Sequence, residues 1–441
     1  MVHKITVVGA GVSGRALALW AASRGAGVFV TDHRAEIPRE TQELFSKTRI
    51  QWETGGHTPR CCECDLMVVS SGVSEKSDAV SMARAKNVPV QGELDLLAPF
   101  LKGKIIAVTG TNGKTTCTAL IAHLLRNAGL NAVSAGNIGN PLAAHADRSY
   151  DAIVMELSSF QLHWNTQLRP DVAVLTNLAP DHLDWHGSYE NYKNDKCKIF
   201  LPRQEECYAV THDVDAFRVP AGRAVCALGR GNLRIDMDGR DVFLVGHGRR
   251  RLLFHKSSLK LLGSHNLENA AMSCAAVALA FRDVDPSAGL AGFEALHHRC
   301  EPVGEQNGVL FIDDSKGTNV AAVIAALHSI NGRKLIILGG QGKGESYDEL
   351  ARVVCEETFA AIVIGSEAEK ILAALRVAGC GHAVRAKDMA EAVKKASELA
   401  APGDKVLLSP ACTSWDMYHS YEERGDHFAQ LVRADKGLAV L

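Results

Sequence analysis

Apolar residues along the chain come in runs of four or five, and each run ends in a glycine-rich or polar turn before a longer stretch with helical spacing. Lys4-Ile5-Thr6-Val7-Val8 is the first; short, β-branched and bounded by glycine, it predicts a buried strand. The turn Gly9-Ala10-Gly11-Val12-Ser13-Gly14 follows, then an alanine-rich helix through Ser23. A second strand, Val28-Phe29-Val30, leads to Asp32, and a third, Leu66-Met67-Val68-Val69, reaches Ser70-Ser71-Gly72-Val73. The rhythm continues with Ile105-Ile106-Ala107-Val108, Ile153-Val154-Met155-Glu156 and Val172-Ala173-Val174-Leu175, and a helical stretch spans 266–280. Past residue 298 it resumes with Val309-Leu310-Phe311-Ile312, Lys334-Leu335-Ile336-Ile337-Leu338, Ala361-Ile362-Val363-Ile364 and Lys405-Val406-Leu407-Leu408. Such alternation predicts mostly parallel sheets with helices on both faces, and ligands then gather at the carboxyl ends of the strands.

At 441 residues the chain is too long for one core. The expected architecture is α/β in three domains. These are a Rossmann-like N-terminal domain over 1–95, a central P-loop ATPase-like parallel sheet over 96–297, and a Rossmann-like C-terminal domain over 298–441. A net charge of −2 gives no electrostatic reason to bind nucleic acid or a membrane surface. No run approaches the roughly 20 apolar residues of a membrane-spanning helix, and the start shows no cleavable signal pattern, so the expectation is a cytoplasmic enzyme, monomeric by default. The 12 cysteines are scattered, which suits a reducing compartment and argues against a disulfide scaffold. Cys61-Cys62-Glu63-Cys64 lacks the second ligand pair of a zinc site.

The chemistry is concentrated in the turns. Gly110-Thr111-Asn112-Gly113-Lys114-Thr115-Thr116 follows a strand and opens a helix, where backbone N–H groups cradle a polyphosphate, Lys114 reaches the outer phosphates and the Thr115 hydroxyl can ligate Mg²⁺. ATP is therefore expected, although Val108 stands where the general P-loop pattern has glycine. Glu156, closing the next strand, is placed to hold the Mg²⁺ that bridges ATP phosphates. The first turn has the Gly-x-Gly-x-x-Gly spacing of dinucleotide sites, and Asp32 lies 18 residues beyond Gly14, near the roughly 20 expected of a ribose-binding acid. NAD is thus an alternative, but the region is short for a dinucleotide domain and leaves the P-loop unexplained. A site for half that size, a nucleotide diphosphate, fits better.

Taken in order, these motifs resemble the Mur ligases of bacterial peptidoglycan synthesis. The resemblance is carried by the P-loop, Glu156-Leu157-Ser158-Ser159-Phe160-Gln161, Asn177 with Asp181-His182-Leu183-Asp184, Tyr192-Lys193-Asn194-Asp195-Lys196 and 263–271. In the last third, His298-Arg299, Asp313-Asp314-Ser315-Lys316-Gly317-Thr318-Asn319, Gly339-Gly340-Gln341-Gly342-Lys343, 408–414 and Arg424-Gly425-Asp426 resemble the D-glutamate-adding branch. The folylpolyglutamate synthases share this chemistry, but usually carry Gly-Lys-Gly-Ser where this chain has Gly113-Lys114-Thr115-Thr116.

The resemblance implies an ATP-dependent amide ligase that adds D-glutamate to UDP-N-acetylmuramoyl-L-alanine through an acyl phosphate. Lys114, His182, Lys196 and Lys316 would be catalytic. Two Mg²⁺ ions are implied, held by Thr115, Glu156, His182 and Lys196 as its carbamate. For ATP the family implicates residues 110–116 with Asn266, Asn269, Arg299 and Asp314. For the UDP substrate it implicates Val12, Ser13, Gly14, Asp32, Arg34, Gly72, Asn137, Gln161 and His182. Lys316, Thr318, Lys343, Ser414, Trp415 and Tyr421 would hold D-glutamate. Trp415 and Tyr421 depart from the family's commoner small aliphatic residue and phenylalanine, and Asp313 stands where asparagine is commoner.

Overall fold

The computed structural model describes residues 3–202, 206–212, 219, 222–261, 263–294 and 296–434. Among these, three sheets form. The first has five parallel strands in the order Gln51–Glu53, Gly27–Thr31, Lys4–Val8, Leu66–Val69, Val90–Gly92. Its middle strands are buried almost throughout, as their unbroken apolar runs require when both faces are covered.

The second sheet has nine strands in the order Arg249–His255, Asp241–Gly246, Leu233–Asp238, Ala224–Leu228, Tyr208–Thr211, Val172–Leu175, Lys102–Thr109, Ser149–Glu156, Ala132–Gly136. Seven run parallel, and the first two in this order add an antiparallel meander at one edge. This meander was not expected from the sequence. Two-residue loops build it, Gly239-Arg240 and His247-Gly248, with Gly239, His247 and Gly248 all at positive φ. The exposed Arg249 and Arg250 on the outer strand blunt its free edge.

The third sheet is ordered Glu301–Gln306, Val309–Asp313, Lys405–Leu408, Lys334–Gly339, Ala360–Ile364, Ala383–Arg385, parallel except for its first strand.

The chain divides into two compact units. The first comprises Met1–Leu178, Glu190–Ser258 and Asn269–Ala291, and therefore holds both the first and second sheets. One hydrophobic cluster runs through it, from Val7, Leu17 and Val30 to Leu142, Ile153 and Leu168. The Trp20 indole N–H donates to Asp147 at 3.1 Å within the same unit. The second unit comprises Ala179–Tyr189, Leu259–Glu268 and Gly292–Leu441. Apolar layers cover both faces of its sheet, one around Ile336, Leu338 and Val363, the other around Ile337, Ile362 and Phe428. Ten cysteines among the described residues are free, while Cys355 and Cys380 form a disulfide across 25 residues. One staple beside two apolar layers is still not a disulfide scaffold. Cys61 and Cys62 pack into the core behind the first sheet, where burial pushes the Cys61 thiol up to about 12.

Candidate functional site

In the first sheet the glycine turn is shaped by close contacts. A Cβ on Gly14 would stand 1.8 Å from the Gly9 carbonyl oxygen, and one on Gly9, at φ +96°, would meet Ser70 Oγ at 2.3 Å. Gly11 has open space beside it and caps the helix Val12–Ser23, leaving backbone N–H groups toward that space. Asp32 is 2% exposed and points inward. It accepts from Ala10 N at 2.6 Å and from Arg34 N, Nε and Nη2 at 2.9, 2.9 and 2.7 Å. Burial opposes ionisation here, but the Arg34 and backbone hydrogen bonds outweigh it and hold the carboxyl at about 2. Asp32 and Arg34, expected as ligand contacts, thus also brace the turn. Val12 is 57% exposed beside it, and Gly72 takes φ +93° in the turn after the neighbouring strand.

The P-loop lies at the carboxyl end of Lys102–Thr109 and opens the helix Lys114–Asn127. Val108 is a fully buried strand residue, so the loop proper begins at Gly110. Gly110 at φ +147° and Gly113 at φ +81° leave no room for a side chain; a Cβ would meet Thr176 Oγ1 at 1.9 Å and Asn269 Oδ1 at 2.5 Å. Asn112 N donates to Asn177 Oδ1 at 2.9 Å, and Thr111 Oγ1 lies 2.9 Å from the Tyr192 hydroxyl. Lys114 Nζ donates to the carbonyls of Gly110 and Thr111 at 2.9 and 2.6 Å. Lys196, 2% exposed, donates to Gly110 O at 2.8 Å and lies over the Tyr192 ring.

Glu156 pairs in register with Val108 at the end of the neighbouring strand and is 2% exposed. Its Oε1 accepts from Asn137 Nδ2 at 2.9 Å, whereas Oε2 is buried without a hydrogen-bond partner. An unpartnered buried carboxylate oxygen is costly unless something cationic satisfies it, and a hard oxygen donor suits Mg²⁺. The residues present therefore fit that ion. Gln161 completes a capping box with Ser158, and its Nε2 donates to Glu93 Oε1 at 2.6 Å. Burial raises the Glu93 carboxyl above the usual range, against the Gln161 bond.

The second unit gathers the remaining expected residues. His182 takes φ +52°, its side chain about a third exposed, with Nε2 3.7 Å from Asp181 Oδ2. Lys343 Nζ lies 3.2 Å from Asp181 Oδ1. Asp314 accepts from Ser409 Oγ at 2.6 Å, and burial pushes its carboxyl up to about 7 against the pull of that bond and of Arg299. Lys316 Nζ lies 4.9 Å over the Tyr421 ring, and Ser414 is buried in the turn after Lys405–Leu408 while Trp415 next to it is 70% exposed. Asn266 lies in the first turn of the helix Ser264–Ala280; Asn269, one turn on, faces the P-loop within the first unit.

Sequence reasoning assigned no role to Arg424. It is 1% exposed and donates to Ser315 Oγ and O at 2.9 and 2.8 Å and to the carbonyls of Cys412 and Thr413 at 3.2 Å. One guanidinium thus ties the Lys316 turn to the Ser414 turn. Gln341 and Thr413 exchange backbone hydrogen bonds at 2.9 and 2.8 Å, tying in the Lys343 turn. A cavity of about 480 Å³, lined by Lys104, Asp171, Tyr208 and Phe281, lies at the opposite, amino-terminal ends of the central strands, away from the P-loop.

Three family models match the chain: the MurD N-terminal domain over 4–79, the Mur ligase middle domain over 108–277, and the Mur ligase glutamate ligase domain over 298–412. A UDP-N-acetylmuramoylalanine--D-glutamate ligase from Pelotomaculum thermopropionicum is 40% identical, covering 97% of both chains. In fold, the chain is similar to the UDP-N-acetylmuramate-alanine ligase MurC of Thermotoga maritima, with TM-score 0.62, 21% identity and coverage of 99% and 100%. It is also similar to the MurF ligase of Thermotoga maritima in complex with ADP, with TM-score 0.62, 19% identity and coverage of 93% and 95%. The chain belongs to the Mur ligase family, in the group of D-glutamate ligases that its full-length relative represents.

Proposed function

We propose that this chain adds D-glutamate to UDP-N-acetylmuramoyl-L-alanine at the expense of ATP, in the bacterial cytoplasm and as a monomer, with domains bounded near 95 and 297. The observation that carries the reading is the chain's likeness, over 97% of its length, to a ligase of that name, together with the P-loop and lysine turns described above. The L-alanine carboxylate attacks the γ-phosphorus of ATP, giving an acyl phosphate and ADP. The D-glutamate amine then attacks the acyl carbon, the tetrahedral intermediate expels phosphate, the nitrogen loses a proton, and an amide remains.

In the first step two anions approach, so the protein's work is positioning and charge neutralisation. Lys114 exchanges its loop carbonyls for the outer phosphates, while Gly110 and Gly113 let the backbone N–H groups approach them. Glu156 and Thr115 would hold the Mg²⁺ that shields the phosphates, with His182 and Lys196 completing a second site. The unmodified Lys196 amine braces the P-loop through Gly110 O; as a carbamate it would become an anionic ligand instead. Labelled bicarbonate giving a carbamate carbon resonance that Lys196→Ala lacks would support the modification, and no such signal would sink it. For D-glutamate, two carboxylates call for cations in partly buried turns, and Lys316 and Lys343 supply them. The primary test is phosphate release with Mg-ATP and the UDP substrate, comparing D-glutamate, L-glutamate, L-lysine and diaminopimelate. A requirement for D-glutamate is expected; turnover only with another amine overturns the acceptor.

A further inference from the structure

We propose that His298 and Asp313 form a positioning ion pair that fixes the turn carrying Lys316 beside Arg299 and Asp314, so that capture of D-glutamate depends on the protonation of His298. The proposal rests on the ligase reading above and concerns the second unit alone.

Each member precedes an expected nucleotide contact, His298 before Arg299 and Asp313 before Asp314. His298 Nδ1 lies 2.6 Å from Asp313 Oδ2, and the side chains are 10% and 1% exposed. Asp313 Oδ1 accepts from Ser315 N at 2.8 Å, while the His298 carbonyl accepts from Lys316 N at 3.2 Å. Two successive amides of the Lys316 turn therefore hang on the two members of the pair. His298 adopts φ +62°, a left-handed conformation that a non-glycine residue keeps only when its surroundings hold it. Gly425 seals the pair: a Cβ there would lie 2.2 Å from His298 Nδ1 and 2.5 Å from Asp313 Oδ2. The Tyr421 ring that packs edge-on against His298 also lies under the Lys316 ammonium.

The charges facing the imidazole favour its cation. Asp313 comes from the strand, and Asp426 of the helix Tyr421–Ala434 lies 3.8 Å from Nε2. On its own segment, Glu301 accepts His298 N at 2.9 Å and pairs with the His297 ring. Arg424, from the helix, is attracted to Asp313. The Asp313 hydrogen bond raises the His298 pKa above its ordinary 6.5, with burial pulling the other way. A raised histidine pKa means that the ion pair is intact below about 6.5 and is lost as pH rises through the folded-state value. A neutral ring still donates to the Asp313 carboxylate, but the attraction between two full charges is lost and the bond is weaker.

The test uses the full chain. The His298 ring proton is followed by NMR from about pH 6 to about pH 9, assigned by its loss in His298→Gln, beside initial rates with D-glutamate varied at saturating ATP and UDP substrate. His298 should titrate above 6.5, and the KM for D-glutamate should rise about 3- to 10-fold over the same range while kcat changes less than about 2-fold. Asp313→Asn should move both midpoints down together. Asp426→Asn, at a side chain 80% exposed, should lower them slightly and leave KM at low pH unchanged, whether or not Asp313→Asn folds. Titration of His298 at or below 6.5, or a KM profile that ignores both substitutions, overturns the proposal. Absence of D-glutamate turnover in the unmodified chain overturns the ligase reading and the positioning role with it, whereas the NMR titration still reports whether the pair is ionised.

Discussion

The turn at 9–14 and the turn at 110–116 are both strand–glycine–helix units of the first compact unit, and they differ in what their charges do. In each, glycines stand where a Cβ would collide, Gly14 against Gly9 O and Gly113 against Asn269. At the first turn the nearby acid points inward, and Asp32 spends its charge on Ala10 N and Arg34. At the second, Lys114 folds onto its own loop's carbonyls, and Glu156 keeps one buried oxygen without a partner. Glycine spacing encodes how closely a ligand approaches the backbone; the charges around it encode the chemistry. On the function proposed above, the first turn would hold a diphosphate through N–H groups alone, whereas the second would rearrange around a triphosphate and its metal.

The sharpest way to break this contrast is at Lys114. Lys114→Ala should lower D-glutamate-dependent phosphate release by about 10³-fold or more while changing unfolding free energy by less than about 1 kcal/mol. Gly14→Ala reverses the profile, because a methyl 1.8 Å from a backbone oxygen cannot be relieved by a rotamer; about 3 kcal/mol of stability should be lost in denaturant melts. Glu156→Gln should cost about 10²-fold in turnover, partly restored by excess Mg²⁺. A Mg²⁺ concentration dependence in that variant identical to that of the unmodified chain would remove Glu156 from the metal site.

The same distinction explains what was legible in the sequence. Runs such as Leu66–Val69 and Lys405–Leu408 matched their strands because both faces are buried, which leaves an uninterrupted apolar signature. Gln51–Glu53, Val90–Gly92 and Ala383–Arg385 are three-residue edge strands, too short to display a period. The meander over 233–255 carried a readable mark, glycine in two tight loops, yet its half-buried strands were masked by arginines. At the site, the residues proposed to contact phosphate are legible through glycine, lysine and threonine spacing. Residues that act on other residues are not: Asn137 on Glu156, Glu93 on Gln161 and Arg424 on three carbonyls are partnerships of tertiary geometry.

Asp32 tests the inward-facing charge by pH. Its folded pKa of about 2 lies below the ordinary 3.8, so its contribution to stability is present above about pH 4 and fades as pH falls toward 2. The shift corresponds to about 2 kcal/mol. Asp32→Asn should lose that amount at neutral pH and flatten the acid limb of stability; an unchanged limb would mean that the Arg34 pairing contributes nothing.

The smallest effect on stability, and the most discriminating on function, is expected at Gly11. Unlike Gly9, it has an ordinary φ, −70°, and unlike both Gly9 and Gly14 it has nothing within 4 Å of a built Cβ, so alanine meets neither strain nor collision. Unfolding free energy should move by less than about 0.5 kcal/mol. The vacant side of Gly11 is nevertheless where a diphosphate would sit against the N-terminus of Val12–Ser23, and a methyl group there pushes the ligand out from the amides that hold it. The KM for the UDP substrate should therefore rise several-fold with kcat and the KM for ATP unchanged. A rise in the KM for ATP instead would exchange the roles assigned to the two turns, and an unaltered KM for both would leave Gly11 as a helix cap whose open space serves no ligand.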